Sequence, residues 1–220
     1  MSALNLIFAT PFLRLVTDDD GLTNALRELI LSCETEEFRK KNSPQQTHEG
    51  VFESEFDFLS WSAPAVQQFK TLFYNHVGGF VKLVNEMTDE QLENVRFNNH
   101  CWFHISREGA FFQPHNHPNA SWSAIYCVSP GDAVPENDHY AGHVVFNDPR
   151  PNASMHVDAA NRHLRHDMSH NAIRLRLQPA ELLIFPSYLL HWVEPYRGEE
   201  PRITISANFW FHRAQTKPQS

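Results

Sequence analysis

Two stretches in the first half of the chain carry apolar residues at helical spacing. In residues 20–34 the apolar positions recur every three or four residues, after Asp and Thr residues that can cap a helix. A second stretch begins at Pro64, a residue that the first turn of a helix tolerates well, and its apolar stripe continues to Val84. We predict an amphipathic helix for each stretch, and we expect both apolar stripes to pack against a sheet.

From about residue 94 the apolar positions alternate with polar ones, which is typical of strands. The segment "LIFATPFLRL" near the N-terminus is predicted to contain a first strand. Further runs follow residue 94 at close spacing, with no helical pattern between them: "VRFNNHCWFHIS", "QPHNHP", "SWSAIYCV", "GHVVFN", "AIRLRLQ", "ELLIFP", "LLHWVEP" and "RITISANFWFH". This pattern predicts a mainly β fold, a jelly roll or sandwich, with the N-terminal helices packed on one sheet.

The composition narrows the class of protein further. A chain of 220 residues fits a single domain 1–220, in which residues 1–93 supply the first strand and the supporting helices and residues 94–213 supply the β core. The formal net charge of −8 offers no basic patch, so we expect no nucleic-acid partner. No run approaches the roughly 20 apolar residues of a membrane-spanning helix. Three cysteines without CxxC spacing indicate a reducing compartment, and we expect a cytoplasmic protein.

The segment "QPHNHP" places two histidines, His115 and His117, on either side of a single residue. In an extended strand such residues point to the same face, and the prolines of this segment favour extended backbone in the residues before them. Two imidazoles on one face can hold a metal ion if a third ligand joins them. Because the chain has 14 histidines, such a pair also arises by chance, and a role as ordinary polar residues stays open at this point.

A candidate third ligand is His191, which follows the predicted strand "ELLIFP" and a short turn. Three ligands on one face of an iron ion leave positions open for a bidentate co-substrate and O₂. Arg202, on the next predicted strand, is placed to pair with the far carboxylate of a dicarboxylic acid chelated to the metal. Thr204, on the same strand face, adds a hydroxyl donor. The alternative for Arg202 is a surface salt bridge with a nearby glutamate.

Other polar residues offer competing sites. The segment "HLRHDMSH" has spacings that suit a metal on a helix, although its polar surroundings are typical of a solvated loop. It lies in the long polar stretch 148–171, which is either a lid or a mobile insertion. His100 and His104 either line the pocket or are core histidines with satisfied hydrogen bonds. Asp148, before a proline, either forms a turn or supplies a carboxylate ligand.

Several of these segments together resemble a known family. The chain from "LIFATPFLRL" to "RITISANFWF", above all "CWFHISREGAFFQPHNHPNASWSAIYCVSP", "GHVVFNDPR" and "ELLIFPSYLLHWVEPYRGEEPRITISANF", is similar to 2-oxoglutarate/Fe(II) oxygenases, a double-stranded β-helix (jelly-roll) group distantly similar to prolyl hydroxylases. The resemblance implies Fe(II) held by His115, His117 and His191, with 2-oxoglutarate as co-substrate and its distal carboxylate paired with Arg202. Most such oxygenases have Asp or Glu where this chain has His117. Three neutral imidazoles leave the site one unit more positive than two histidines and a carboxylate would.

The resulting hypothesis is an Fe(II)/2-oxoglutarate-dependent dioxygenase that couples oxidative decarboxylation of 2-oxoglutarate to hydroxylation of an unidentified substrate, either a small molecule or a peptide. Tyr126 is a further candidate to bind 2-oxoglutarate through its hydroxyl, or else a core tyrosine. Two alternatives stay open. One is a three-histidine cupin-type dioxygenase that binds its substrate directly on iron without 2-oxoglutarate. The other is a non-enzymatic jelly-roll module that binds a sugar or an acidic ligand, or holds a metal in a purely structural role.

Overall fold

The computed structural model of the protein describes residues 6–41, 47–132, 138–150, 158–159, 162–165, 168 and 172–214. These residues contain three α-helices, namely α1 (Asp20–Ser32), α2 (Pro64–Val84) and α3 (Asp89–Glu93). They also contain nine strands: β1 (Leu13–Val16), β2 (His48–Glu53), β3 (Val95–His115), β4 (Trp122–Ser129), β5 (Val144–Asn147), β6 (Ala172–Leu175), β7 (Glu181–Pro186), β8 (His191–Val193) and β9 (Arg202–Arg213).

Both predicted helices form within the predicted limits. Helix α1 begins after Asp19, whose side chain accepts a hydrogen bond from the backbone nitrogen of Leu22 at 2.9 Å. Helix α2 begins with Pro64 in its first turn. No helix of the described residues is long and apolar enough to cross a membrane.

The strands form one curled antiparallel sheet in the order β1-β7-β4-β9-β3-β8-β5-β6, with β2 paired to β3. Strand β3 lies in the middle of this order, and its two halves pair with different neighbours. Its first half pairs with β9, from Val95 opposite Arg213 to Ser106 opposite Arg202. Its last residue, His115, lies opposite His191 of β8. The strand therefore leads from one wall of the curled sheet to the other.

Alternation along the strands produces two cores. The outer core lies between the sheet and helices α1 and α2, and it contains Leu26, Phe69, Phe73, Tyr126 and Ile205 among others. The inner core lies on the other face of the sheet, and it contains Leu183, Phe185, Phe146 and Val193 among others. Helices on one sheet face and a second core inside the curl confirm the predicted mainly β arrangement.

Two features of the sheet differ from the sequence prediction. Strand β2 was not predicted, because its six residues are interrupted at Gly50, which has φ +68°. The runs "VRFNNHCWFHIS" and "QPHNHP" were predicted as separate strands, but the structure has one strand, β3, which ends at His115. Most of the polar stretch 148–171 lies outside the described residues, so its predicted role as a lid or insertion is not tested.

We expect Gly109→Ala to lower the free energy of unfolding by about 1 kcal/mol, because Gly109 has φ +83°, a backbone conformation that disfavours a Cβ atom. The matched control is Gly79→Ala in helix α2, which should raise stability by about 0.5–1 kcal/mol. At both positions an added Cβ has no atom within 4 Å, so backbone conformation alone separates them. Urea unfolding measures both values, and equal effects of the two substitutions would contradict the expectation.

Candidate metal centre

Three histidines meet at the point where β3 and β8 pair. His115 ends β3, His191 begins β8, and His117 lies two residues beyond the end of β3. One ring nitrogen of each side chain lies within 4.8 Å of the corresponding nitrogens of the other two. The backbone nitrogen of His117 donates to the carbonyl oxygen of Ser187 at 2.9 Å, which fixes this segment against the turn before His191. The structure thus brings together the three predicted ligands.

Hydrogen bonds orient two of the three rings. Nδ1 of His115 donates to the carbonyl oxygen of Gln113 at 2.7 Å, and Nδ1 of His191 donates to that of Leu189 at 2.9 Å. A carbonyl oxygen only accepts, so each Nδ1 carries the proton and each Nε2 keeps its lone pair for a metal. The ring of Phe146 stacks on His191 with centroids 5.7 Å apart. These contacts hold the rings in place before any ion binds.

The environment keeps all three imidazoles neutral. Burial lowers the pKa of His191 well below its usual value, and the neighbouring His115 and His117 lower it further. Burial also lowers the pKa of His117 to about 4, with additional lowering by His115 and His104, while Glu53 acts in the opposite direction. Burial lowers the pKa of His115 as well. Neutral imidazoles are the form that binds a metal ion, so this donor set fits Fe(II).

No carboxylate joins the three histidines among the residues that the structure describes. Asp148 lines a different cavity, of about 670 Å³, and its carboxylate accepts two hydrogen bonds from the Arg150 guanidinium, at 2.9 and 2.6 Å. It also accepts from the Arg150 backbone nitrogen, as the predicted turn requires. In "HLRHDMSH", His163 is exposed, and the remaining histidines and the aspartate lie outside the described residues.

Arg202 and Thr204 line the same cavity as the three histidines. Both are almost fully buried, with 3 % of the surface of each exposed. Neither an ion pair nor a hydrogen bond links the Arg202 guanidinium to another described side chain. The predicted alternative of a surface salt bridge does not fit, because Arg202 is buried, while Glu200 pairs with Arg27 and Glu194 with Arg174. A buried guanidinium keeps its charge and needs an anion.

A hydroxyl near Arg202 is also without a partner. Ser106 lies opposite Arg202 on β3, and its buried Oγ has no hydrogen-bond partner within the described part of the chain. Burial lowers the pKa of Arg202, which is the expected effect of removing a cation from water without a counter-ion. Arg202 therefore supplies one positive charge to the cavity, and the unpartnered Ser106 hydroxyl belongs to the neighbouring strand.

Tyr126 lies outside the cavity. Its ring belongs to the outer core, 4.9 Å from the ring of Phe69, and its hydroxyl lies 2.8 Å from the Thr23 hydroxyl and 3.3 Å from that of Thr17. Strand alternation explains this position, because Tyr126 follows Ile125, whose side chain belongs to the inner core. The predicted contact of Tyr126 with 2-oxoglutarate therefore does not fit the structure, and the alternative of a core tyrosine does.

Several cavity-lining residues were not singled out from the sequence. Glu53, Trp102, Ser123 and Asn208 line the cavity, and the Ser123 hydroxyl donates to Asn208 Oδ1 at 2.6 Å. Period-two alternation on β4 and β9 could have indicated Ser123 and Asn208, but Glu53 lies on the strand that was not predicted. Of the two histidines whose role the sequence left open, His100 and His104, the second lines the cavity.

The fold and the cavity together define a class: a double-stranded β-helix protein with a histidine metal centre. A family described as "Putative 2OG-Fe(II) oxygenase" matches residues 100–208, about half of the chain, including all three histidines and Arg202. The chain belongs to this family of 2-oxoglutarate/Fe(II) oxygenases, and its cofactors are Fe(II) and 2-oxoglutarate. No curated protein matches the chain by sequence.

Solved structures share the fold at low sequence identity. A prolyl-4-hydroxylase from Pseudomonas putida is 15 % identical to this chain. The match covers 94 % of each of the two chains and has a TM-score of 0.62. A prolyl hydroxylase from Trichoplax adhaerens, in complex with a hypoxia inducible factor peptide fragment, is 12 % identical over 90 % of this chain and 83 % of its own, with a TM-score of 0.55. The epimerase SnoN, in complex with Fe³⁺, alpha ketoglutarate and nogalamycin RO, is 11 % identical over 96 % and 87 %, with a TM-score of 0.57. They confirm the predicted double-stranded β-helix.

We expect Tyr126→Phe to lower the free energy of unfolding by about 1 kcal/mol, because it removes the hydrogen bond with Thr23 inside the outer core. The 2-oxoglutarate dissociation constant should stay within about twofold of the wild-type value. Urea unfolding and an anaerobic 2-oxoglutarate titration measure the two quantities. Thr23→Val is the control, and its effect should not add fully to that of Tyr126→Phe. A large loss of 2-oxoglutarate affinity in Tyr126→Phe would restore the original prediction.

Proposed function

We propose that this oxygenase holds Fe(II) with His115, His117 and His191 and binds 2-oxoglutarate between that ion and Arg202. The reaction is oxidative decarboxylation of 2-oxoglutarate coupled to hydroxylation of a substrate. The observation that carries the proposal is the single cavity that contains both the three histidines and a buried guanidinium without a described counter-ion.

The bound iron and 2-oxoglutarate supply the oxidising chemistry, and the residues of the chain position the reactants. His115, His117 and His191 would hold the ion through three neutral nitrogens and would leave room for a bidentate co-substrate. The Nδ1 hydrogen bonds of His115 and His191 keep their Nε2 atoms aimed at a common point. Phe146 and Phe185 pack against His191, which limits the access of water to that ligand.

Arg202 is the proposed partner of the distal carboxylate of 2-oxoglutarate. Its guanidinium offers two parallel donors to a carboxylate, and burial strengthens the pair because little water competes for either group. Thr204 lies two residues along β9 on the same face, so its hydroxyl can donate to the same carboxylate. The unpartnered Ser106 hydroxyl lies across from Arg202 and offers another donor.

The substrate class is a small molecule or a peptide. The structurally similar proteins include one in complex with a peptide fragment and another in complex with nogalamycin RO. We therefore propose hydroxylation of a C–H bond without assigning the molecule that carries it.

A three-histidine dioxygenase that binds its substrate directly on iron is the second candidate function. The presence of three imidazoles, with no carboxylate beside them among the described residues, favours it. The buried Arg202 opposes it, because a direct-binding enzyme has no need for a carboxylate partner at this depth. The 2-oxoglutarate titration below separates the two candidates.

We expect Arg202→Ala to weaken 2-oxoglutarate binding to the Fe(II)-loaded protein by at least about 30-fold, since it removes a buried charge partner. Arg202→Lys should be intermediate, because it keeps the charge and loses the paired donors. The visible charge-transfer band of the iron–2-oxoglutarate chelate, followed anaerobically, reports the binding. Arg197→Ala is the control, because this arginine is exposed. A wild-type protein that binds iron and never develops the band would favour the direct-binding alternative.

We expect His115→Ala and His191→Ala each to weaken Fe(II) binding by more than about 100-fold, because each removes one of three ligands. The iron content of protein purified without a His tag, and an anaerobic Fe(II) titration, measure the effect. His163→Ala should leave the affinity unchanged, since this exposed histidine belongs to the competing motif. Full iron binding by either of the first two variants would rule out the proposed ligand set.

A further inference from the structure

One carboxylate lines the cavity of the three histidines. Among the described lining residues Glu53 is the single acidic side chain, and Arg202 is the single arginine or lysine. The Glu53 side chain is 12 % exposed. It projects from β2, where Glu53 lies opposite His104 of β3. An acid at this depth is costly unless other groups stabilise its charge.

Three neighbouring side chains stabilise the ionised form of Glu53. Its Oε1 accepts from Lys40 Nζ at 2.9 Å, and its Oε2 lies 3.0 Å from Nε2 of His104 and 3.6 Å from Nε2 of His48. Burial raises the pKa of the Glu53 carboxyl, but these neighbours outweigh burial and hold the pKa well below its usual range. Glu53 is therefore an anion at neutral pH.

The two oxygens of Glu53 face different surroundings. The ammonium of Lys40 lies over the ring of Phe56, 3.8 Å from its centroid, and Lys40 is not among the residues that line the cavity. Oε2 faces His104, which does line the cavity. The pair thus places its negative charge on the cavity side and its positive charge behind it.

Among the residues that line the cavity, the charges of the proposed site do not balance without Glu53. Fe(II) and a 2-oxoglutarate dianion cancel, three neutral imidazoles add nothing, and Arg202 leaves one positive charge in a cavity of low dielectric constant. In an iron site with two histidines and a carboxylate, the ligand itself would supply the missing negative charge. In this cavity the acidic side chain is Glu53, which is not one of the three proposed ligands.

We propose that Glu53 acts on the metal site electrostatically. Its carboxylate lies outside the set of three ligands and supplies the negative charge that the three-histidine centre lacks. The inference rests on the proposed ligand set. It predicts that Glu53 strengthens Fe(II) binding and stabilises Fe(III) relative to Fe(II), because the more highly charged ion interacts more strongly with an anion. Lys40, as the cation behind Glu53, has the opposite effect on both quantities.

A purely structural role is the competing explanation. Trp102 Nε1 lies 2.9 Å from His104 Nε2, and the rings of Trp102 and His117 lie 6.1 Å apart. Loss of Glu53 could therefore disturb His117 through His104 and Trp102. A structural role predicts that disruption from either side of Glu53 weakens the site, whereas an electrostatic role predicts effects of opposite sign.

The test compares Glu53→Gln with Lys40→Met by anaerobic Fe(II) titration against a competing chelator and by potentiometry of the Fe(III)/Fe(II) couple. We expect Glu53→Gln to weaken Fe(II) binding about tenfold and to raise the potential. We expect Lys40→Met, which keeps an apolar chain over Phe56, to tighten Fe(II) binding several-fold and to lower the potential. Glu55→Gln, the same charge change at an exposed position, should alter neither quantity.

Each outcome decides the matter. Opposite shifts in the two variants support the inference, whereas weaker binding in both, or no change in either, overturns it. If Glu53→Gln does not fold, Lys40→Met alone decides, since unchanged or weaker Fe(II) binding in that variant contradicts the inference. If the wild-type protein does not bind Fe(II) at the three histidines, the proposed ligand set fails first, and the inference fails with it.

Discussion

The removal of polar groups from water inside the curled sheet is the constraint on which the rest of the structure depends. Burial keeps His117 and His191 neutral, so that their nitrogens are available to a metal. The same burial leaves Arg202 without a described counter-ion. A cavity of this kind is costly when empty and is stabilised by a dication and a dicarboxylate together. The burial of polar groups therefore accounts for the binding of both Fe(II) and 2-oxoglutarate.

The long strand β3 makes this arrangement possible. Its first half is fixed by β9, whose inward side chains include Arg202 and Thr204, and its far end carries His115 to the opposite wall. The outer core under helices α1 and α2 supports the wall that carries Arg202. Because β3 pairs with both β9 and β8, it fixes the position of Arg202 relative to the three histidines.

The balance of charge links the ligand set to residues outside it. An iron site with three imidazoles has no anionic ligand. Among the described residues that line the same cavity, Glu53 is the single carboxylate. Its contacts with His104, His48 and Lys40 explain how an acid can stay ionised there, and the cation of Lys40 lies on the side away from the cavity. The choice of three neutral ligands and the charges of Glu53 and Lys40 therefore have to be considered together.

Local pattern in the sequence determined a large part of this protein. The 3.6-residue period predicted α1 and α2, the period of two predicted the later strands, and the HxH pair with His191 and Arg202 indicated candidate residues that the structure brings to one cavity. Such features follow from side-chain direction within one element. Tyr126 shows the limit of that reasoning, since its strand was predicted correctly and the sequence left open whether its side chain faces the cavity or the outer core. Only the tertiary structure decided which face meets the cavity, joined two predicted runs into β3, and placed Glu53 of an unpredicted strand beside the site, because these depend on pairing between residues far apart in the chain.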